Sequence, residues 1–293
     1  MSENFASSPP AVAVPKPAGR IAQRFRALSE AGEMGLVAYI TAGDPSLAAT
    51  EKIVLAAANA GADVIELGVP FSDPVADGPT IQRASDRALR SGTTLAGVIE
   101  LVRRMRAHAE VPLVLFSYFN PILQMGLEKF AAAAAAAAGA DGVLATDLTP
   151  EEAVEYRATL QGRGLDTIFL AAPTSTDARL AQIGAASSGF LYVISRAGVT
   201  GERAELPAEL PALIRRARKF TTLPIAVGFG ISLPTHVTVL GGIADAAVVG
   251  SALMAEIEKA ASPDAAAAAV AGRIRLLKSA ARTGVSRRST EAS

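Results

Sequence analysis

Cysteine is absent from this 293-residue chain, which removes disulfides, thiolate metal sites and thiol nucleophiles together. Histidine occurs only twice, as His108 and His236. Both fall in helical or connecting stretches with no second ligand at metal spacing. They are expected as solvated surface residues rather than zinc ligands or the base of a triad. Net charge is also lacking, since 28 basic residues are matched by 28 acidic ones. No basic excess is left to meet the phosphates of a nucleic acid. No apolar run could cross a bilayer without glycine or charge breaks. The N-terminal stretch has no basic region followed by an apolar core, so it does not read as a signal peptide. Lysines are few and none is expected at the end of a strand, which disfavours a Schiff-base aldolase. A cytoplasmic protein with neither nucleic-acid nor membrane partners is expected.

Half of the residues are apolar, enough for one large α/β domain with a full core. Eight short apolar runs read as strands, at 36–40, 64–67, 113–116, 142–145, 167–170, 190–194, 224–227 and 246–249. Several place β-branched residues on consecutive positions, as strands buried on both faces do. Helix-length segments alternate with them, at 48–60, 97–108, 127–138, 150–162, 176–184, 207–220 and 233–240, with a last one at 263–278. The alanine run at 131–138 reads as helix anchored by Leu127 and Phe130 and stopped by Gly139. Eightfold strand–helix alternation predicts an α/β fold of the (β/α)8 TIM-barrel type over residues 20–280. A doubly wound open sheet is the alternative, but no Gly-rich dinucleotide loop follows the first strand. Residues 1–19, rich in Ser, Pro and Ala, read as a disordered tail, and 281–293 as a flexible one.

The most informative stretch follows the second strand. Glu66 interrupts the apolar run 64–67, and the Pro/Gly-broken loop after it carries Asp73 and Asp77. An acid inside an apolar strand is costly to desolvate, so it has a partner or a task. In α/β barrels the ends of strands are where chemistry sits. Glu66 and Asp77 are therefore candidate catalytic carboxylates. The alternatives are a structural acid paired with a base for Glu66 and a loop cap for Asp77. Gly228-Phe229-Gly230 and Gly250-Ser251 follow the seventh and eighth strands, where barrels bind phosphate on backbone N–H groups, with Gly201 as a possible third edge. Tyr192, on the sixth strand, is either a site residue or a core aromatic.

Together these motifs resemble the tryptophan synthase alpha chain family over about residues 20–277. The run ELGVPFSDPVADGPTIQ (66–82) is the most specific. YVISRAGVTG (192–201), VGFGIS (227–232) and VVGSAL (248–253) follow in matching order. The resemblance implies retro-aldol cleavage of indole-3-glycerol phosphate to indole and glyceraldehyde 3-phosphate. It implies Glu66 as the general acid/base and Asp77 as the group that holds the indole N–H. Tyr39, Tyr118 and Tyr192 match aromatic or tyrosine positions around the substrate, and Gly201, Gly230, Gly250 and Ser251 match the phosphate cradle. No cofactor is implied in this chain. The implied partner is a pyridoxal-phosphate-dependent beta chain in an alpha2beta2 tetramer, meeting the loops of Asp73, Pro74 and Asn120. The long loop at 196–211 is expected to close over substrate. The stretch Thr146-Asp147-Leu148-Thr149 carries threonines where the family often has prolines, implying a looser loop. Rival readings are another phosphate-binding barrel enzyme, a stand-alone indole-releasing lyase and a non-catalytic barrel that activates a partner.

Overall fold

The computed structural model describes residues 19–137, 139–195 and 206–286. Most of the two expected tails, the first part of the 196–211 loop and Gly201 lie outside the described residues.

Nine strands form one all-parallel sheet: β1 (Gly35–Thr41), β2 (Val64–Gly68), β3 (Leu113–Ser117), β4 (Gly142–Ala145), β5 (Asp166–Ile168), β6 (Leu170–Ala171), β7 (Leu191–Ile194), β8 (Ile225–Gly228) and β9 (Ala246–Val249). Their order is β5-β4-β3-β2-β1-β9-β8-β7-β6. The two ends of that order are consecutive pieces of chain separated only by Phe169. The Tyr192 N–H donates to the Phe169 carbonyl at 3.3 Å, stitching the corner. The sheet is thus an eight-stranded barrel whose fifth strand breaks to change partners. β5 pairs with β4, and β6 pairs with β7. The expected continuous strand at 167–170 is corrected accordingly. Every residue of β1 is buried, which requires cover on both faces and explains why the runs do not alternate.

Twelve α-helices surround the described barrel: α1 (Arg20–Glu30), α2 (Leu47–Asn59), α3 (Pro79–Arg90), α4 (Leu95–Met105), α5 (Phe119–Met125), α6 (Leu127–Ala132), α7 (Val154–Gly162), α8 (Asp177–Ala186), α9 (Leu210–Ala217), α10 (Pro234–Leu240), α11 (Ser251–Lys259) and α12 (Pro263–Ser286). The alanine run is not one α-helix. It passes after Ala132 into a π-helical turn, Ala133–Ala137, with Phe130 fully buried as its anchor and Gly139 at φ 72° ending it. Of the expected 196–211 loop, Leu210 and Pro211 instead open α9.

The N-terminal end of the barrel is locked by aspartates that immediately precede strands. Asp63 accepts the Leu36 N–H at 2.7 Å, Asp141 the Leu113 N–H at 2.8 Å and Asp245 the Ile225 N–H at 2.7 Å. Each thereby satisfies a backbone donor beside a neighbouring strand. Helix α1 lies across this end. Its Arg20 bonds Asp141, its Arg24 pairs with Asp63, and Phe25 packs on Phe190 at 5.8 Å. Buried Lys278, from α12, also binds Asp63 at 2.8 Å. This end is built for stability, and the opposite end carries the candidate chemistry.

Candidate active site

At the C-terminal end of the strands a cavity opens to solvent, where α/β barrels place their ligand sites. The register of β1 against β2 sets Tyr39 opposite Glu66. Tyr39 lines the cavity, and paired residues of parallel strands project to the same side, so Glu66 also points into the barrel. Glu66 is fully buried, and neither carboxyl oxygen has a hydrogen-bond partner among the described residues. With no base beside it, the reading as a structural ion-pair acid finds no support there. Burial alone pushes its pKa up to about 8, because a low-dielectric surrounding disfavours the charged form.

Two glycines make room around it. A Cβ at Gly68 would lie 2.1 Å from the Tyr39 hydroxyl oxygen, and one at Gly228 would lie 2.0 Å from that of Tyr192. The two rings therefore lean over neighbouring strands inside the barrel. Both hydroxyls have pKa values raised by burial and by the nearby carboxylates of Glu66 and Asp77. These four side chains form one electrostatic cluster. Tyr192 is a cavity residue, not only a core aromatic.

Asp77 sits in the turn between β2 and α3 and lines the cavity. Tyr118, which begins the turn into α5, donates its O–H to Asp77 Oδ2 at 3.2 Å and accepts the Ala76 N–H at 2.9 Å. Gln82 Nε2 donates to the Asp77 carbonyl at 2.8 Å. Tyr118 thus stands behind Asp77 rather than in the cavity wall. Burial raises the Asp77 carboxyl to about 6, with the Tyr118 hydrogen bond opposing. Of the two carboxyls, Glu66 keeps its proton to the higher pH. The site thus offers two carboxyls of different acidity.

The far wall follows β8 and β9. Phe229, Gly230 and Ile231 line it, with Gly250 and Ser251 beside them. Phe229 at φ 67° and Gly230 at φ 91° turn the chain sharply after β8. Helix α11 begins at Ser251, and Gly250 before it supplies no side-chain cap, so the first N–H groups of that helix remain available. His236, expected as a surface residue, is instead buried, and its Nδ1 accepts the Ser232 N–H at 3.3 Å. It is the third residue of α10, whose inner face includes Val237 and Leu240, so it faces the core. His108 is exposed as expected.

Asp73 and Asn120 are exposed and Pro74 is partly buried. The Thr146–Thr149 stretch makes hydrogen bonds to the end of β3 and the start of α5. Asp147 accepts the Phe119 N–H at 2.7 Å, and the Thr146 N–H donates to the Ser117 carbonyl at 2.9 Å. The sequence reading missed the apolar walls Ile81, Phe116 and Val248. Phe116 and Val248 stand one alternation from other inward positions of their strands, a signal readable once register is known. Among the described residues no cluster of three or more His, Asp or Glu side chains could hold a metal ion, and no helix is long and apolar enough to cross a membrane.

Residues 25–282 match the tryptophan synthase alpha chain family. The chain is 53% identical over 240 residues to the tryptophan synthase alpha chain of Solibacter usitatus, covering 82% of this chain and 90% of that one. The structure superposes on tryptophan synthase subunit alpha of Legionella pneumophila with a TM-score of 0.83 at 37% identity, covering 90% of this chain and 99% of that chain. It superposes equally on a Mycobacterium tuberculosis tryptophan synthase structure, with a TM-score of 0.83 at 34% identity and the same coverage. The chain therefore belongs to the tryptophan synthase alpha chain family, the carbon–carbon lyases that cleave indole-3-glycerol phosphate.

Proposed function

We propose that the cavity binds indole-3-glycerol phosphate and that Glu66 and Asp77 carry its cleavage. The observation that supports this most is the pair itself. A buried, unpartnered carboxyl raised to about 8 stands in one cluster with a carboxyl at about 6. Glu66 gives its proton to the indole carbon that bears the side chain. The carboxylate so formed takes the proton of the side-chain hydroxyl next to the bond that breaks. The bonding electrons return to the indole ring, the alcohol becomes the aldehyde of glyceraldehyde 3-phosphate, and Glu66 ends protonated again. Ionised Asp77 accepts the indole N–H and offsets the positive charge that develops in the ring. Tyr39, Phe116 and Tyr192 flank the indole, and Tyr118 holds Asp77 in place.

The phosphate rests on the backbone of Gly230, Gly250 and Ser251, with the N-terminus of α11 supplying positive charge density. Gly201 belongs to the same reading by motif, outside the described residues. Replacing Gly230, at φ 91°, with valine is expected to weaken glycerol phosphate binding more than it lowers the melting temperature. An unchanged affinity would put the phosphate elsewhere.

The pH profile of kcat/KM is expected to be bell-shaped. Activity falls below about 6 as Asp77 gains a proton and above about 8 as Glu66 loses its own, because the reaction needs the first ionised and the second protonated. A profile flat between pH 5 and 9 would remove this assignment.

The family name implies a partner chain. We further propose an alpha2beta2 tetramer in the cytoplasm, in which Asp73 and Pro74, in the loop before Asp77, and Asn120, just after Tyr118, meet a beta chain. This chain needs no cofactor for its own step, and the partner carries pyridoxal phosphate and receives indole directly. The deciding assay is indole release from indole-3-glycerol phosphate with and without a beta chain. The isolated chain is expected to turn over slowly and to accelerate on complex formation. Unchanged turnover in a mixture shown to contain the complex would favour a stand-alone lyase.

A further inference from the structure

We propose that His236 and Ser195 are positioning residues that clamp the segment 229–231 from either side and so aim its backbone at the bound anion. The inference rests on the phosphate-cradle reading above. The segment lies beyond the end of β8, where ladder hydrogen bonds stop. Phe229 holds φ 67° and Gly230 φ 91°. The left-handed region is unfavourable for a phenylalanine, so this conformation persists only where its surroundings impose it.

Two side chains impose it. Ser195, buried just beyond β7, donates its hydroxyl to the Phe229 carbonyl. His236, buried in the first turn of α10, accepts the Ser232 N–H at 3.3 Å and the Leu233 N–H at 3.5 Å on Nδ1. Nδ1 must therefore be unprotonated, which puts the proton of the neutral ring on Nε2, an assignment made from the hydrogen bonds. One clamp precedes Gly230 and the other follows it. Neither Ser195 nor His236 lines the cavity, whereas Phe229, Gly230 and Ile231 all do. Both clamps thus act on the anion only through the backbone between them. The histidine reaches back to the N–H of the residue before the helix, a role that glutamine at the same helical position fills with its amide oxygen. Leucine would fill the space and accept nothing.

The test is calorimetric titration of the full chain with glycerol phosphate, beside melting temperature. His236→Leu and Ser195→Ala are each expected to weaken binding about fivefold to tenfold, the scale of one lost hydrogen bond. His236→Gln is expected to stay within about threefold of the parent. A general loss of stability would not distinguish leucine from glutamine in this way. Ser195→Ala removes one oxygen and keeps the test alive if His236→Leu does not fold. Parental affinity in Ser195→Ala, or equal weakening by glutamine and leucine, would overturn the clamp. Gly230→Val is the control for the cradle. If it binds glycerol phosphate normally, the cradle reading falls and this inference with it. If it does not bind while the clamp variants do, only the clamp falls.

Discussion

Glu66→Gln is expected to lower cleavage of indole-3-glycerol phosphate by about 10²–10⁴-fold while leaving the barrel folded, the usual cost of a lost general acid/base. Glutamine keeps the size of the side chain but can neither give nor take the proton. The fold is safe because Glu66 accepts no hydrogen bond among the described residues that the amide would forfeit. The same substitution has a signature in stability. The Glu66 carboxyl is raised by burial from an ordinary 4.5 to about 8. Between those values the unfolded chain has lost the proton and the folded chain keeps it. The stabilisation from that proton is complete below about 4.5 and is lost as pH rises to about 8. Three to four units at about 1.4 kcal/mol each make the loss on the order of 5 kcal/mol. The parent should therefore lose melting temperature towards alkaline pH by a component that the glutamine variant lacks. Near-normal turnover in the variant would remove Glu66 from the mechanism. Identical pH dependence of melting would contradict its raised pKa.

Asp77→Asn is expected to cost about 10²–10³-fold in kcat, comparable to losing a preorganised electrostatic contact in a closed site. The shape is kept, and the Tyr118 hydroxyl that now bonds Asp77 Oδ2 at 3.2 Å can bond the amide oxygen as well. What goes is the negative charge facing the indole N–H. The residual activity should also lose the acidic limb near 6 that Asp77 supplies. Measuring kcat/KM from pH 5 to 9 in both proteins checks this. An unmoved limb, or a loss below about threefold, would give the role to another group.

Much of the barrel was legible because its strands are buried on both faces. Seven of the eight expected runs overlap single strands, from β1 through β9. The exception, at 167–170, breaks at Phe169 because one strand must serve β4 at its start and β7 at its end. Helices α1, α3, α5 and α11 were not expected from the sequence, and two of them, α3 and α11, adjoin the site motifs. Ile81, Ala84, Ser85 and Ala88 form the buried face of α3 at clear helical spacing, but they follow directly on the loop of Asp73 and Asp77, whose carboxylates marked that stretch as site rather than helix. Helix α11 starts inside the Gly250-Ser251 motif, which read as a loop. Glu66 and Asp77 stood out because carboxylates are costly next to apolar strands.

The chain's pattern of apolar runs, its acids at a strand end and its glycines after the last two strands determined barrel architecture and the catalytic end. Those signals are local, since burial on both faces, desolvation of charge and freedom of φ act on each residue where it stands. Three features depended on contacts between residues far apart in the chain. The isolation of the Glu66 carboxyl needs the register of β1 on β2. The hold of Tyr118 on Asp77 spans 41 residues. The burial of His236 against the turn after β8 depends on how α10 packs. A pKa or a clamp belongs to an environment, and only the closed barrel supplies one.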